Sequence, residues 1–381
     1  MFDVCVVCCE SYEQRAVTDA LRAALEPLGG LEWVKPGMRV GVKANLVTFL
    51  KPDRAATTHP AVLCALTELL RERGAEVIVG DSPGGLYTAA YVNRVYSATG
   101  MRVVEQAGAA LNRDFGERQA SFPEGKVARE FTYTSWLDGV DAIVDVCKLK
   151  SHGMMSMSAA VKNLFGAIPG TLKPEYHFKY PNERDFADML VDLNEYFRPR
   201  LSIADAIVGM EGNGPTAGTP RPIGALLAAH TPYALDLACA DIIGVTADDV
   251  PTIRAAHERG LCPASASELR ICGDLAAVHA EGFQNILSHR SLRFQSAGPF
   301  GKVIERALAS RPGVDSGKCI GCGVCANTCP AHAIALRNSR PVIDRRACIR
   351  CFCCQEFCPK GAMTVRRPLV ARILNKSANK E

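Results

Sequence analysis

The sequence lacks the features of several large protein classes. It has no run of about 18 apolar residues, so a membrane-spanning helix is not expected. The formal net charge is only +4 over 381 residues, which gives no reason to expect nucleic acid as a partner. The apolar run at residues 1–9 contains Asp3 and no cleavage pattern follows it. It is therefore interpreted as a first strand rather than a signal peptide.

Cysteine, by contrast, is abundant, with 17 in the chain. Eight of them are scattered between Cys5 and Cys272, mostly among apolar neighbours. Such positions are typical of buried free thiols in a reducing cytoplasm, so a cytoplasmic protein is expected. The other nine lie between Cys319 and Cys358.

Eight of these nine cysteines form two copies of one pattern, C-x2-C-x2-C-x3-C-P. The first copy starts at Cys319, and the second starts 29 residues later at Cys348. With this spacing, three cysteines of one copy bind a [4Fe–4S] cluster and the fourth binds the other cluster. The rule predicts two clusters with these ligands: Cys319, Cys322, Cys325 and Cys358 for the first, and Cys348, Cys351, Cys354 and Cys329 for the second.

Two other interpretations of the repeat fit less well. Structural zinc more often uses two separate C-x2-C pairs, and disulfides need an oxidising compartment. Residues 315–367 resemble bacterial two-cluster ferredoxins, which implies a small α+β module. Cys353 falls outside the register of the repeat and is interpreted as a packed or spare thiol beside Cys354.

Strand-like and helix-like segments alternate through the first 250 residues. Strands are expected at 4–8, 39–42, 76–79, 142–146, 201–203 and 225–228, and helices at 16–28, 59–73 and 233–243. This alternation favours an α/β fold with a largely parallel sheet and helices on both faces. In such a sheet, ligands bind beyond the carboxyl ends of the strands.

Polar residues follow four of the predicted strands at that edge, so they are expected to share one site. They are Lys43 with Asn45, then Asp81, then Lys148, Lys150 and His152 at alternate positions, and finally Asp205 followed by Glu211. The loop that starts at Asp81 lacks G-x-G-x-x-G and G-x4-G-K-[ST]. Neither a Rossmann dinucleotide site nor a P-loop is therefore supported.

The segment between Lys148 and His177 concentrates positive charge. It also contains Lys162, Asn163 and Lys173, and it has no acidic residue before Glu175. Cations gathered in a crevice predict an anionic ligand, either a carboxylate or a phosphate. A solvated basic loop is the alternative. The accompanying asparagines and histidines favour the ligand site, because such residues orient ligands.

Five motifs together resemble the DUF362 family, which often carries a C-terminal pair of ferredoxin motifs. They are Lys43-x-Asn45, GDSPG at 80–84, Lys148-x-Lys150-x-His152, VKNLFG at 161–166 and GMEGNGP at 209–215. The resemblance covers residues 43–243 and implies a ligand-binding domain fused to an iron–sulfur module. It implies no particular reaction. The predicted units are an α/β domain over 1–287, a connector over 288–312, the two-cluster module over 313–369 and a basic tail over 370–381.

The sequence favours an iron–sulfur oxidoreductase whose two clusters exchange electrons with chemistry in the α/β crevice and with a redox partner protein. The anion would be bound by Lys43, Asn45, Lys148, Lys150, Lys162, Asn163 and Lys173. His152 or His177 would move protons, because histidine changes charge near neutral pH. Asp81, Asp205 and Glu211 would balance the lysines or hold a metal. A non-enzymatic electron-transfer or adaptor protein, and a non-redox enzyme with structural or regulatory clusters, remain alternatives.

Overall fold

One nine-stranded sheet organises the first 285 residues. The computed structural model describes residues 2–285 and 310–366. The strands of the sheet are β1 (Val4–Cys8), β2 (Arg39–Lys43), β3 (Glu76–Gly80), β4 (Ala110–Leu111), β7 (Ala142–His152), β8 (Ser156–Ser158), β9 (Leu201–Glu211), β10 (Thr219–Ala229) and β11 (Ile271–Cys272). Their order is β11-β1-β10-β9-β7-β2-β3-β4, with β8 paired to β7. A separate antiparallel pair is formed by β5 (Glu117–Ser121) and β6 (Glu130–Thr134).

Helices cover both faces of this sheet. They are α1 (Gln14–Leu25), α2 (Pro60–Glu72), α3 (Ala89–Ala98), α4 (Val103–Gln106), α5 (Ala160–Asn163), α6 (Lys173–Lys179), α7 (Glu183–Phe197), α8 (Pro232–Ile242) and α9 (Pro251–Glu258). Short 3₁₀ turns lie at Glu26–Leu28, Pro52–Arg54, Ser135–Gly139, Leu164–Ala167, Ala247–Asp249, Ala266–Glu268 and Ala276–Val278. Alternate strand residues point to opposite sides, so Val144 and Val146 pack with α1 and α2, whereas Cys147 and Leu149 pack with α8.

The predicted fold class is confirmed. Strands β4, β3, β2, β7 and β9 are parallel neighbours, as are β1 and β11, and within residues 2–285 the antiparallel pairs of this sheet are those formed by β10 and β8. Two strands are longer than expected, since β7 continues to His152 and β9 to Glu211. The hydrophobic pattern stops at Lys148 and Asp205, but these two residues are register partners on adjacent strands and are both buried. Their charges neutralise each other, so the strands continue through them.

The C-terminal module contains two short antiparallel pairs and two single-turn helices. Strand β12 (Arg311–Val314) pairs with β15 (Met363–Arg366), and β13 (Ile334–Arg337) pairs with β14 (Arg340–Ile343). The helices are α10 (Val324–Asn327) and α11 (Cys353–Glu356), one in each cysteine repeat. This small module has the class expected from the sequence.

The predicted unit boundaries stay predictions. Most of the connector, residues 288–309, and the whole basic tail lie outside the described residues. Strand β12 begins at Arg311, two residues before the predicted start of the module. Among the helices in the described ranges, none has the length and apolarity needed to cross a membrane.

Candidate functional site

A cleft of about 1400 Å³ lies between the sheet and the C-terminal module. Its α/β wall is formed where β2, β3 and β7 end, and six of the predicted site residues line it: Asn45, Asp81, Lys150, Lys162, Asn163 and Lys173. The described residues that line the cleft include seven lysines and arginines but only three acidic residues. The cleft is therefore positively charged overall.

Lys43 and Asp81 form a buried ion pair beneath the cleft. Their Nζ and Oδ1 atoms are 2.6 Å apart, and both side chains are almost completely inaccessible to water. Asp81 Oδ2 also accepts a hydrogen bond from the Leu46 N–H. A Cβ atom at Gly166 would overlap both members of the pair. The glycine of the VKNLFG motif is thus required by the close approach of the backbone to this ion pair.

Lys148 is also paired, and it does not line the cleft. Its Nζ lies 2.9 Å from Asp205 Oδ2 and 2.7 Å from the Tyr12 hydroxyl oxygen. Tyr12 in turn donates to Asp205 Oδ1, and the His59 N–H donates to Asp205 Oδ2. Burial lowers the pKa of Lys148, and Asp205 opposes this change. The arrangement stabilises the junction of β7 and β9.

Lys150 begins a chain of hydrogen bonds that leads to a buried carboxyl group. Its Nζ donates to Asn45 Oδ1 at 2.7 Å and to the Ala56 carbonyl. The amide of Asn45 donates to Asn163 Oδ1, and that of Asn163 donates to Asp145 Oδ1. Burial lowers the pKa of Lys150 to about 7, and it raises the pKa of Asp145 well above its ordinary value. The ammonium group of Lys150 therefore changes charge near neutral pH.

Lys162 and Lys173 provide further cations at the cleft wall. Lys173 Nζ donates to the backbone carbonyls of Ser82 and Ile168, and burial lowers its pKa to about 7. Lys162 lies over the Phe165 ring, 5.7 Å from its centroid. Within residues 2–285 and 310–366, Lys162 forms no ion pair with a carboxylate. Its charge nevertheless acts on Glu356, because it lowers the pKa of that carboxyl group despite burial. Lys162 also lines the cleft, so a bound anion would compete with Glu356 for its charge.

His152 connects the sheet to the C-terminal module. Its Nδ1 accepts hydrogen bonds from the Met154 and Met155 N–H groups, so the ring proton resides on Nε2. Nε2 donates to Glu356 Oε1 at 2.8 Å. Burial and the neighbouring Lys162 lower the pKa of His152 to about 4, which keeps the ring neutral near pH 7. The Glu356 carboxylate lines the cleft, whereas His152 itself is buried behind it.

His177 does not line the cleft. It is stacked on Phe186 with the ring centroids 4.2 Å apart, and burial lowers its pKa to about 3. Glu211 does not line the cleft either, and its carboxylate accepts a hydrogen bond from the Gln284 N–H. No three His, Cys, Asp or Glu side chains among the described residues are arranged to hold a single metal ion.

The loop after β9 binds helix α11 of the module. Gln355 is fully buried, and its Nε2 donates at 2.8 Å to the carbonyl oxygens of Asn213 and Gly214. Asn213 Oδ1 also accepts from the Val365 N–H. A Cβ atom at Gly214 would overlap the Ser151 carbonyl. The GMEGNGP motif thus serves to position the module against the sheet.

The cysteines of the repeat are divided between two small cavities. One cavity is lined by Cys319, Cys322, Cys325 and Cys358, and the other by Cys329, Cys348, Cys351 and Cys354. Each cavity thus combines three cysteines of one repeat with the fourth cysteine of the other. Four thiolates around one cavity fit the ligand requirement of a [4Fe–4S] cluster. Cys353 also lines the second cavity, is fully buried, and has its pKa raised well above the ordinary value by burial.

Comparison with known proteins places these features in a family. The family described as a domain of unknown function (DUF362) matches residues 40–241, more than half of the chain. The chain belongs to the DUF362 family. A 4Fe-4S dicluster domain matches residues 311–359, so this DUF362 protein is also an iron–sulfur protein. Both resemblances noted in the sequence are confirmed.

One curated relative of this DUF362 protein is a thylakoid-associated protein of Synechocystis sp. It is 36% identical over 264 residues, which cover 68% of this chain and 79% of the relative. Among solved structures, a lactate racemase apoprotein from Thermoanaerobacterium thermosaccharolyticum has a TM-score of 0.39 and 11% identity, over 65% of this chain and 58% of that chain. A Thermotoga maritima protein has a TM-score of 0.33 and 16% identity, over 55% and 53%.

Four residues of the DUF362 protein's site were not identified from the sequence. Asp145 lies inside an apolar run and Tyr12 in a short polar segment, and no motif distinguishes either residue. Gln355 and Glu356 lie inside the second cysteine repeat, between Cys354 and Cys358, where the motif specifies only the cysteines and the following proline. The available signal was that the corresponding positions of the first repeat are Ala326 and Asn327, so the amide of Gln355 and the acid of Glu356 are not explained by the repeat.

Proposed function

We propose that this protein is an iron–sulfur oxidoreductase in which two [4Fe–4S] clusters exchange electrons with an anionic substrate, a carboxylate or a phosphate, bound in the cleft. The observation that carries the proposal is the composition of the two cleft walls. Lys150, Lys162 and Lys173 line one wall, and Cys329 and Cys358 line the other. A bound anion would therefore lie between the lysines and one cysteine from each of the two cavities.

The residues of the cleft differ in the role they would have. Lys162, which forms no direct salt bridge within residues 2–285 and 310–366, would make the strongest contact with the anion, and Lys150, Asn45 and Lys173 would add hydrogen bonds. Lys43 and Lys148 would act indirectly, because Asp81 and Asp205 already neutralise them. Their contribution would be to hold the strand ends in place.

Two groups of four cysteines would hold the clusters: Cys319, Cys322, Cys325 and Cys358, and Cys348, Cys351, Cys354 and Cys329. The clusters would supply one-electron transfer. Of the two predicted histidines, His152 is the one connected to the cleft, since it donates its Nε2 proton to Glu356. This hydrogen bond orients the Glu356 carboxylate, and Lys162 and His152 lower the pKa of that carboxyl group despite its burial. Glu356 would therefore stay ionised and hold the His152 ring in place at the edge of the cleft. The buried free thiols of the α/β domain support a reducing, cytoplasmic setting.

The test compares three proteins purified without oxygen: the wild type, Lys162→Met, and the control Lys35→Met, which removes an exposed lysine outside the cleft. Native mass spectrometry should find two [4Fe–4S] clusters in all three. A co-purifying small anion should be present in the wild type and the control and absent from Lys162→Met. An anion retained by Lys162→Met, or a single cluster per chain, would contradict the proposal.

The same samples separate the two alternatives. If both clusters are reducible but no compound that binds in the cleft changes their oxidation state, the protein is an electron-transfer or adaptor protein. If a bound compound is converted while the cluster spectra stay unchanged under all conditions, the enzyme is not a redox enzyme. Electron paramagnetic resonance before and after addition of the identified anion distinguishes these outcomes.

A further inference from the structure

A second concave surface lies on the C-terminal module, and it is separate from the cleft. This arginine groove has a volume of about 1050 Å³ and is lined by Arg311, Arg345, Arg346, Arg350 and Arg366. The described residues that line it and those that line the cleft do not overlap. Pro181 and Asn182 of the α/β domain complete one side of the groove, so it is formed at the junction of the two units.

The arginine groove carries strong positive charge. No aspartate or glutamate is among its described lining residues. Arg345 and Arg346 are exposed, and neither forms a salt bridge with a carboxylate in the described parts of the chain. The exposed guanidinium groups of Arg345 and Arg346, which are adjacent in the chain, would therefore attract an acidic partner.

The position of one cysteine connects the groove with the proposed clusters. Cys348 lines the groove, and it also lines the cavity formed with Cys329, Cys351 and Cys354. Cys329 lines both that cavity and the substrate cleft. The same cavity is therefore bordered by the groove on one side and by the cleft on another. A carrier bound in the groove would be next to a cluster ligand without blocking the cleft.

We propose that the arginine groove is the docking surface for an acidic one-electron carrier protein. This inference rests on the proposed redox role of the clusters. The exchange transfers a single electron, so that the carrier loses it and the protein gains it, or the reverse. No bond is formed or broken. Electrostatic attraction of this kind accelerates association, and its contribution weakens as salt screens the charges.

Other occupants fit the groove less well. A flat anionic membrane cannot enter a concave surface, whereas a protruding acidic loop can. A segment of the same chain is disfavoured by charge, because residues 286–309 and 367–381 each contain four lysines or arginines and only one glutamate. Cys348, a proposed cluster ligand, lines the groove. This position favours a redox-active partner over a simple anion, because only a redox-active partner would use the nearby cluster.

The experiment uses the full-length protein with its clusters and a small acidic plant-type [2Fe–2S] ferredoxin as the probe. The groove variant is Arg345→Gln/Arg346→Gln. The control is Arg15→Gln/Arg113→Gln, which removes the same charge from side chains that are 88% and 83% exposed and lie outside both the groove and the cleft. Binding is measured by isothermal titration calorimetry at ionic strengths of about 10 mM and about 150 mM.

At low ionic strength the groove variant should bind ferredoxin at least about tenfold more weakly than the wild type, and the control should stay within about twofold. The difference should shrink at the higher ionic strength. Stopped-flow mixing with reduced ferredoxin should show the same order of electron-transfer rates, while photoreduction by deazaflavin should be equal in all three proteins.

Equal losses in the groove and control variants would mean that only net charge matters, and would overturn the proposal. Unchanged ferredoxin binding by the groove variant would also overturn it. The same holds if the groove variant loses binding to anionic phosphatidylglycerol vesicles but keeps binding to ferredoxin. The cleft is tested separately, by the anion that Lys162 is expected to retain. Failure at the cleft with groove-dependent ferredoxin binding would refute only the substrate proposal, and the reverse result would refute only the docking proposal.

Discussion

Lys148 and Lys162 are both lysines of the predicted anion site, and the structure gives them opposite roles. Lys148 is buried against Asp205 and does not reach the cleft, whereas Lys162 is partly exposed there. We therefore expect Lys148→Met to affect stability and Lys162→Met to affect ligand binding.

The magnitudes follow from the hydrogen bonds that remain after each substitution. Breaking a buried ion pair by removing one partner costs about 3–5 kcal/mol, because the other charge stays buried. In Lys148→Met, the Asp205 carboxylate keeps the Tyr12 hydroxyl and the His59 N–H as donors. The expected loss in the free energy of unfolding is therefore near the lower limit, about 3 kcal/mol. Lys162→Met breaks no direct salt bridge in the described residues but removes a charge that acts on Glu356, so it should lower this free energy by only about 1 kcal/mol or less.

For anion binding the order of the two effects should be reversed, with the larger loss in Lys162→Met. A hydrogen bond to a charged group contributes about 1.5–3 kcal/mol, so Lys162→Met should weaken sulfate binding by about tenfold or more. Folded Lys148→Met should bind sulfate within about twofold of the wild type, because Asp205 already neutralises that lysine. Urea denaturation and isothermal titration calorimetry measure the two quantities. Loss of sulfate binding by Lys148→Met without loss of stability would refute this division of roles.

Three further predictions follow from the module and the cleft. The double variant Cys329→Ser/Cys348→Ser should lose no more iron than either single variant, because both thiols line one cavity; a further loss in elemental analysis would contradict the grouping. Gln355→Leu should lower the free energy of unfolding by about 1–3 kcal/mol, since buried carbonyl groups lose their donor, and unchanged urea denaturation would exclude this. Sulfate affinity should fall as pH rises through about 7, because Lys150 and Lys173 become neutral. Calorimetry at several pH values measures this affinity, and an affinity that rises or stays constant with pH would contradict the prediction.

The sequence was sufficient for the parts of the protein in which chemistry depends on spacing. The cysteine repeat predicts two ligand groups because the number of residues between ligands limits which thiolates can surround one cluster. The alternation of strands and helices predicts the α/β class because a parallel sheet must be covered on both faces. The polar residues after the strands also indicate where a ligand site would lie.

Only the tertiary structure decided which of these polar residues face a ligand and which face each other. Lys148 and Asp205 are 57 residues apart, and they become partners through the parallel register of β7 and β9. The contact between His152 and Glu356 joins residues 204 positions apart, in two separate units of the chain. Local sequence patterns carry no information about such pairs, because side chains far apart in the chain meet only after the strands have paired and the module has packed against the sheet.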